Sequence, residues 1–203
     1  DLGALDEVAP PTTHKGVLGG YMDHWIHTDN FTVQWDGSDV TQDEAEQIAA
    51  DMEMAWSGLV DDAGWSVPTS GEDYLIRVVL DETLEATGVT VTTPHDDWPA
   101  GVPVIYINTL YADLPEFMSS LCAHEFGDAL QFRVRDWYAG GAEEAWYWEA
   151  SSEWMAEIAR PDADAYARAS AFYASSTELP YHSRFDLHPY GMFLLNAFLE
   201  EYR

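Results

Sequence analysis

LCAHEFGDALQF, residues 121–132, is the stretch from which both a buried helix and a chemical site can be predicted. Its apolar and small residues are typical of a helix packed in a core. His124 and Asp128 are four residues apart, so on a helix they lie on one face, one turn apart. Glu125 is rotated by roughly 100° from His124 and can approach the same object from the side. We therefore expect three polar side chains to share one small site.

The stretch differs by one residue from the helical zinc motif H-E-x-x-H, because Asp128 stands where the second histidine is usual. In that motif both histidines ligate Zn²⁺, and the glutamate is the general base that activates a metal-bound water. Zinc also accepts carboxylate oxygens, so Asp128 is admissible as a ligand. Aspartate has a shorter reach than histidine, and each added carboxylate makes the ion a weaker acid toward its water.

The pair HEFGDALQF and WYWEASSEW resembles the gluzincin zinc metallopeptidases. In that clan the H-E-x-x-H helix is followed, about twenty residues later, by a second helix with a glutamate ligand. The aminopeptidase N branch writes this helix as W-x-x-E-G-x-A-x-[YW]. Trp146, Glu149, Ser152 and Trp154 occupy the matching places, and Ala150 stands where glycine is usual. The pair is also similar to secreted bacterial domains with H-E-F-x-H-x-x-Q and W-x-E-[GA]-x-A-x-W.

The resemblance implies a zinc site with His124, Asp128 and Glu149 as metal ligands and Glu125 as the base. Glu149 lies 21 positions after Asp128, a spacing within the range of the clan. Glu153, one helical turn further on, is an alternative ligand or a partner that orients Asp128 or a histidine from outside the ligand set. A different divalent cation, Ca²⁺ or Mn²⁺, is the alternative to zinc, because oxygen ligands replace an imidazole.

A later segment, HPYGMFLLNAFLEE (188–201), is similar to a helix of the same clan that follows a catalytic tyrosine. In the clan that tyrosine stabilises the tetrahedral intermediate of peptide hydrolysis. Tyr190 stands in its place, although the usual two residues between the tyrosine and the glycine are missing. His188 and His182 are nearby substitutes for this role, and the alternative for both is a structural or surface histidine.

Strands predominate in the first half of the chain and helices in the second, which predicts an α+β domain. The resemblance implies a zincin-like metallopeptidase fold with an N-terminal mixed sheet and a C-terminal helical half. We expect an extended segment at 1–20 and one domain at 21–203, divided into a sheet-containing half (21–113) and a helical half (114–203). The predicted strands lie within 24–35, at 74–81 and at 101–108, with an edge strand between the last two. The first predicted helix begins at a capping box of Thr41 and Glu44 and ends at Gly64. The second begins near Asp113 and Glu116, and three more cover 142–160, 162–176 and 191–202.

Acidic residues dominate the charge, because 37 Asp and Glu stand against 8 Lys and Arg, a formal net charge of −29. Such a surface repels polyanions, which excludes nucleic acid and anionic membranes as partners. Cys122 is the single cysteine, and its apolar surroundings predict a small core residue. The partner that remains is a peptide or protein substrate, and the chain is expected to act as a monomer.

These observations predict a secreted, extracellular metallopeptidase-like domain that hydrolyses peptide bonds if the altered site is competent. The alternative is a catalytically degenerate descendant that keeps the fold for binding or as a scaffold. Asp128 decides between the two, because it changes a residue that would touch the metal.

The acidic surface generates the first testable prediction. Self-repulsion among carboxylates is screened by salt, so the thermal unfolding midpoint should rise from dilute buffer to molar NaCl. Differential scanning calorimetry at a series of NaCl concentrations measures this shift. A midpoint that stays constant or falls with added salt would contradict the interpretation that repulsion among surface carboxylates limits stability.

Overall fold

A buried helix packed on a mixed β-sheet organises the chain, whose computed structural model describes residues 15–37, 39–134 and 145–201. The strands are β1 (Gly16–Val17), β2 (His24–His27), β3 (Phe31–Trp35), β4 (Tyr74–Leu80), β5 (Gly88–His95) and β6 (Trp98–Ile107). The helices are α1 (Gln42–Trp56), α2 (Pro115–Gln131), α3 (Ala145–Ala159), α4 (Ala165–Ala174), α5 (His188–Gly191) and α6 (Phe193–Glu201). The predicted α+β class is confirmed.

The main path of the sheet has the strand order β2-β3-β4-β6-β5. Strands β3, β4 and β6 are mutually parallel, whereas β2 and β5 pair antiparallel at the two edges. The short β1 pairs in parallel with the first residues of β4. The edge strand predicted between 74–81 and 101–108 is therefore confirmed as β5.

The core forms where α1 and α2 lie against one face of this sheet. Side chains of alternating residues on the central strands point toward the helices, as the period of two requires. The fully or almost fully buried residues include Phe31, Val33, Ile76, Val78, Ile105 and Ile107 from the strands, and Ile48, Met52, Met118, Cys122 and Phe126 from the helices. Cys122 is thus the small core residue that the sequence predicted.

Helix α1 begins as predicted. The Thr41 hydroxyl accepts a hydrogen bond from the Glu44 N–H, and the Glu44 carboxylate accepts one from the Thr41 N–H. After α1 the chain continues through π-helical turns at Ser57–Asp62, and Gly64 then takes a positive φ of 77°. The predicted end at Gly64 is therefore confirmed.

The capping box predicted for α2 at Asp113 and Glu116 is wrong, although the helix begins close to these residues as expected. The helix begins at Pro115 with Leu114 at the cap position, and no side chain caps it. Proline suits the first helical position because its φ is already helical and it has no N–H to satisfy. This displaces the cap from Asp113. The predicted last helix is also divided, because α5 ends at Gly191 and α6 begins at Phe193.

A buried ion pair fixes the end of α3 to the two core helices. The Arg160 guanidinium lies 3.1 Å from the buried Asp51 carboxylate of α1 and also donates to the Ser119 hydroxyl of α2.

Among the described residues, no helix is long and apolar enough to cross a membrane.

Phe126 generates a prediction about stability. Its fully buried ring stacks on Trp56 at a centroid distance of 5.6 Å and meets the Phe31 ring edge-on at 5.4 Å. Phe126→Ala should lower the free energy of unfolding by about 3–5 kcal/mol, through lost burial and the cavity left behind. Urea denaturation followed by circular dichroism measures it. Val134→Ala, an exposed apolar residue just after α2, is the control and should change stability by about 0.5 kcal/mol or less.

Candidate metal centre

The site forms where α2 and α3 approach each other closely. Gly127 faces α3, and a β-carbon there would lie 3.4 Å from Cα of Ser152 and 3.3 Å from the Met155 sulfur. A β-carbon at 127 would already touch α3, so a side chain longer than that of alanine would meet Ser152 and Met155. The approach brings the polar face of α2, with His124 and Asp128, against the polar face of α3.

Three α2 side chains converge at the centre of this contact. One ligand atom each from His124, Glu125 and Asp128 lies within 4.8 Å of the other two. His124 and Glu125 are buried, and Asp128 is partly exposed. Imidazole nitrogen and carboxylate oxygen are both ligands for divalent metals, so these three residues are close enough together to bind a metal ion.

Two glutamates of α3, Glu149 and Glu153, face the two ring nitrogens of His124. Nε2 lies 3.3 Å from Oε2 of Glu149, and Nδ1 lies 3.1 Å from Oε2 of Glu153. Burial alone would lower the pKa of His124, but the hydrogen bonds to Glu149 and Glu153 outweigh burial and raise it well above its usual value. Glu149 lies against His124, but the group whose ligand atoms all lie within 4.8 Å of one another is His124, Glu125 and Asp128 and does not include Glu149. Glu153 is placed where it can orient His124.

Asp128 is held from the α3 side by hydrogen bonds. The Ser152 hydroxyl donates to Oδ1 of Asp128 at 2.5 Å, and the Gln131 amide donates to the Ser152 oxygen. Burial raises the pKa of Asp128 well above its usual value, and the carboxylates of Glu149 and Glu125 raise it further. The charge of His124 and the Ser152 bond act in the opposite direction.

Glu125 is covered by the edge strand β5. The Thr90 hydroxyl lies 2.7 Å from Oε2 of Glu125 and 2.9 Å from its carbonyl oxygen. Gly88 lies directly over the same carboxylate, since a β-carbon at this position would be 2.6 Å from Oε1. Burial raises the pKa of Glu125 to about 7, against the lowering effects of the His124 charge and the Thr90 hydrogen bond.

Tyr190 completes the site from the C-terminal half. Its ring centroid is 5.7 Å from that of His124. Burial, followed by the charge of Glu149 and a hydrogen bond to it, raises the pKa of Tyr190 far above its usual value. Gly191 allows this placement, because a β-carbon there would lie 2.4 Å from the backbone nitrogen of Tyr173 in α4.

The two candidate substitutes for Tyr190, His188 and His182, make contacts with other residues of the C-terminal half. His188 is buried, and its ring nitrogens bond the Ser176 hydroxyl at 2.8 Å and the Pro180 carbonyl at 3.1 Å. Both nitrogens are therefore used to hold the loop before α5. His182 is exposed and its ring contacts Tyr181.

Two cavities flank Glu125 and Tyr190, which line both of them. One, of about 190 Å³, is bounded by β5 residues 88–91 and by Asp128, Phe132, Trp148 and Glu149. The other, of about 260 Å³, is more apolar and is lined among others by Phe117, Leu121, Phe172 and Leu187. Trp148 is buried, and it also forms part of the wall of the smaller cavity.

Several residues of the site were not anticipated. Thr90 and Gly88 lie on a strand far from α2 in sequence, and no local pattern connects them to Glu125. Ser152, which the sequence presents only as a position of the α3 pattern, bonds Asp128, and Gln131 bonds Ser152. A side chain with a hydroxyl one turn after Glu149 is the signal that could have indicated a partner for Asp128.

No protein-family model, curated protein or solved structure matches this chain. Its function therefore has to be inferred from the geometry and chemistry of these residues.

Thr90 generates a prediction about the proton affinity of Glu125. Its hydrogen bond stabilises the carboxylate and so lowers the pKa, which means that Thr90→Val should raise the Glu125 pKa above about 7. Carboxyl ¹³C chemical shifts of the metal-free protein, recorded across pH, measure it. Thr93→Val, an exposed change on the same strand, should leave this titration unaltered. A Glu125 pKa that falls or stays constant in Thr90→Val would rule out a stabilising hydrogen bond from the Thr90 hydroxyl to the Glu125 carboxylate.

Proposed function

We propose that this chain is a zincin-like metallopeptidase domain of the gluzincin type that hydrolyses peptide bonds with the help of a divalent cation. The observation that carries the proposal is the placement of His124 between two carboxylates. Its Nε2 faces Glu149 and its Nδ1 faces Glu153, while Asp128 lies beside it on the same helix. A histidine that binds a metal through one nitrogen commonly donates its other N–H to a carboxylate, and this arrangement suits that role.

The donor set fits a divalent cation. His124, Asp128 and Glu149 would hold the ion, with Glu153 as the partner that orients the imidazole. The crowding of buried carboxylates in a small volume, which raises the pKa of Asp128 and Glu125, is the situation that a cation relieves. A bound ion would polarise the scissile carbonyl and increase the acidity of a water molecule.

Glu125 has the properties of a general base. With a pKa of about 7 its carboxylate is partly ionised near neutral pH, so it can take a proton and return it. Thr90 holds Oε2, which leaves Oε1 for proton transfer from the attacking water to the leaving amine. Gly88 leaves space beside Oε1, and the side chain of any other residue at this position would occupy that space.

Tyr190 would donate a hydrogen bond to the oxyanion that develops on the scissile carbonyl. Its raised pKa keeps the phenol protonated at any physiological pH, so the hydroxyl remains a donor. A fixed donor aimed at developing charge lowers the barrier because it needs no reorganisation during the reaction.

The surroundings of Glu125 suit an extended peptide. Strand β5 is an edge of the sheet, and its residues 88–91 line one of the two cavities. A peptide in extended conformation can pair with such an edge through main-chain hydrogen bonds. The more apolar cavity, with Phe117 and Phe172 in its wall, has room for an apolar side chain of that peptide. We infer that the substrate is an unfolded protein or a peptide.

The test is hydrolysis of an unstructured protein such as casein, in the presence of Zn²⁺ or Mn²⁺. Glu125→Gln should lower kcat by about 10²–10⁴-fold, because the general base is lost while the shape of the side chain is kept. Glu116→Gln makes the same charge change at an exposed position of α2 and should cleave like the unaltered chain. Equal cleavage rates for Glu125→Gln and the unaltered chain would rule out Glu125 as the base, and no cleavage by either would favour the degenerate binding domain instead.

A further inference from the structure

Asp128, which stands where the sequence motif would have a histidine, has its own hydrogen-bonded support on α3. Its Oδ1 accepts from the Ser152 hydroxyl at 2.5 Å, and the Ser152 oxygen accepts from the Gln131 amide. We propose that Gln131 and Ser152 are positioning residues that make Asp128 a working metal ligand, and that the site therefore takes a divalent cation with an affinity for oxygen, such as Mn²⁺. The inference rests on the proposed function only in treating the site as a cation site.

The direction of the hydrogen bonds supports this role. A serine hydroxyl has one hydrogen, so when its oxygen accepts from the Gln131 amide, the hydrogen is available for Asp128. Gln131 is itself held, because its amide also lies 3.3 Å from the Trp148 carbonyl and its Oε1 lies 3.3 Å from the Ser151 hydroxyl. Aligned hydrogen bonds polarise one another, which strengthens the last bond in the chain. Asp128 is thereby held through Oδ1, and its second oxygen is left to bind a cation.

Ser152 is completely buried, so its hydroxyl cannot exchange its bond to Asp128 for one to water. The same position faces Gly127, whose missing side chain brings α3 close enough for the contact. Asp128 is shorter than histidine, and a ligand with a short reach depends more on a fixed orientation. The serine and the close helix approach together supply that orientation.

The contact joins the Asp128 carboxylate to the Ser152 hydroxyl across the two helices. An alanine at 152 would leave Oδ1 of Asp128 without its donor. The hydroxyl and the carboxylate therefore function as a pair, and this is a reason to regard Asp128 as a ligand built into the site.

The chemistry of the donors sets the class of cation. One imidazole and several carboxylates form an oxygen-rich set, and carboxylates suit Mn²⁺ better than imidazoles do. Exchanging Asp128 for histidine should therefore shift the preference of the site toward Zn²⁺. Mn²⁺ and Zn²⁺, each alone, are the two probes.

The experiment is calorimetric titration of Mn²⁺ into the full chain after removal of metal with a chelator. Ser152→Ala should lower the Mn²⁺ affinity by about 10-fold or more, as expected for loss of a partner that holds a ligand. Gln131→Leu should lower it in the same direction by less. Ser170→Ala removes a hydroxyl in α4 that bonds the Ala167 carbonyl of its own helix, and it should change the affinity by less than about 2-fold.

A double-mutant cycle separates positioning from general loss of structure. In an Asp128→Ala background, the further change Ser152→Ala should have no additional effect on Mn²⁺ affinity, and thermal unfolding should show that all variants are folded. Asp128→His should raise the ratio of Zn²⁺ to Mn²⁺ affinity. Unchanged Mn²⁺ affinity in Ser152→Ala, or the same loss with and without Asp128, would overturn the inference.

These outcomes are distinct from failure of the proposed function. If Ser152→Ala weakens Mn²⁺ binding but Glu125→Gln cleaves casein as fast as the unaltered chain, the positioning role stands and the peptidase proposal falls. If cleavage depends on Glu125 while Ser152→Ala binds Mn²⁺ normally, the reverse holds. A chain that binds neither Mn²⁺ nor Zn²⁺ overturns both.

Discussion

The close contact of α2 with α3 is the constraint on which the rest of the site depends. Gly127 permits it, and the Arg160 ion pair with Asp51 fixes the end of α3 against α1. At this separation the short side chains of Asp128 and Ser152 reach each other. Two helices at an ordinary distance of 8–10 Å, separated by larger side chains, would need longer residues to make the same bonds. Gly127 thus helps to determine which polar side chains of α2 and α3 can reach each other.

The sheet contributes the opposite wall. Strand β5 is the antiparallel edge, and it lies over α2 so that Gly88 and Thr90 contact Glu125 from above. The core of the same helix faces the central strands through Phe126. Helix α2 therefore packs its apolar face on the sheet and turns its polar face toward the site. This division explains how a segment can be almost entirely buried and still hold three ionisable side chains.

Much of this could be predicted from local patterns. The helical period of LCAHEFGDALQF and the capping box at Thr41 are short-range signals, and the structure agrees with both of them. The capping box expected at Asp113 and Glu116 does not form, because Pro115 takes the first helical position and Leu114 the cap position. The contact of Thr90 with Glu125 could not be predicted, because it joins segments 35 residues apart and only tertiary packing decides which side chains meet.

The burial of Glu125 has a consequence for how the chain remains folded. At pH values between 4.5, the ordinary pKa of this carboxyl, and about 7, the folded protein holds a proton on Glu125 that the unfolded chain releases. Since the folded state binds more protons in this window, its stability falls as pH rises through it. A cation bound only by the folded site would act against that loss by mass action. The lifetime of the domain in an alkaline medium would then follow the supply of divalent ions, so that starvation for metal would remove the protein as well as its chemistry.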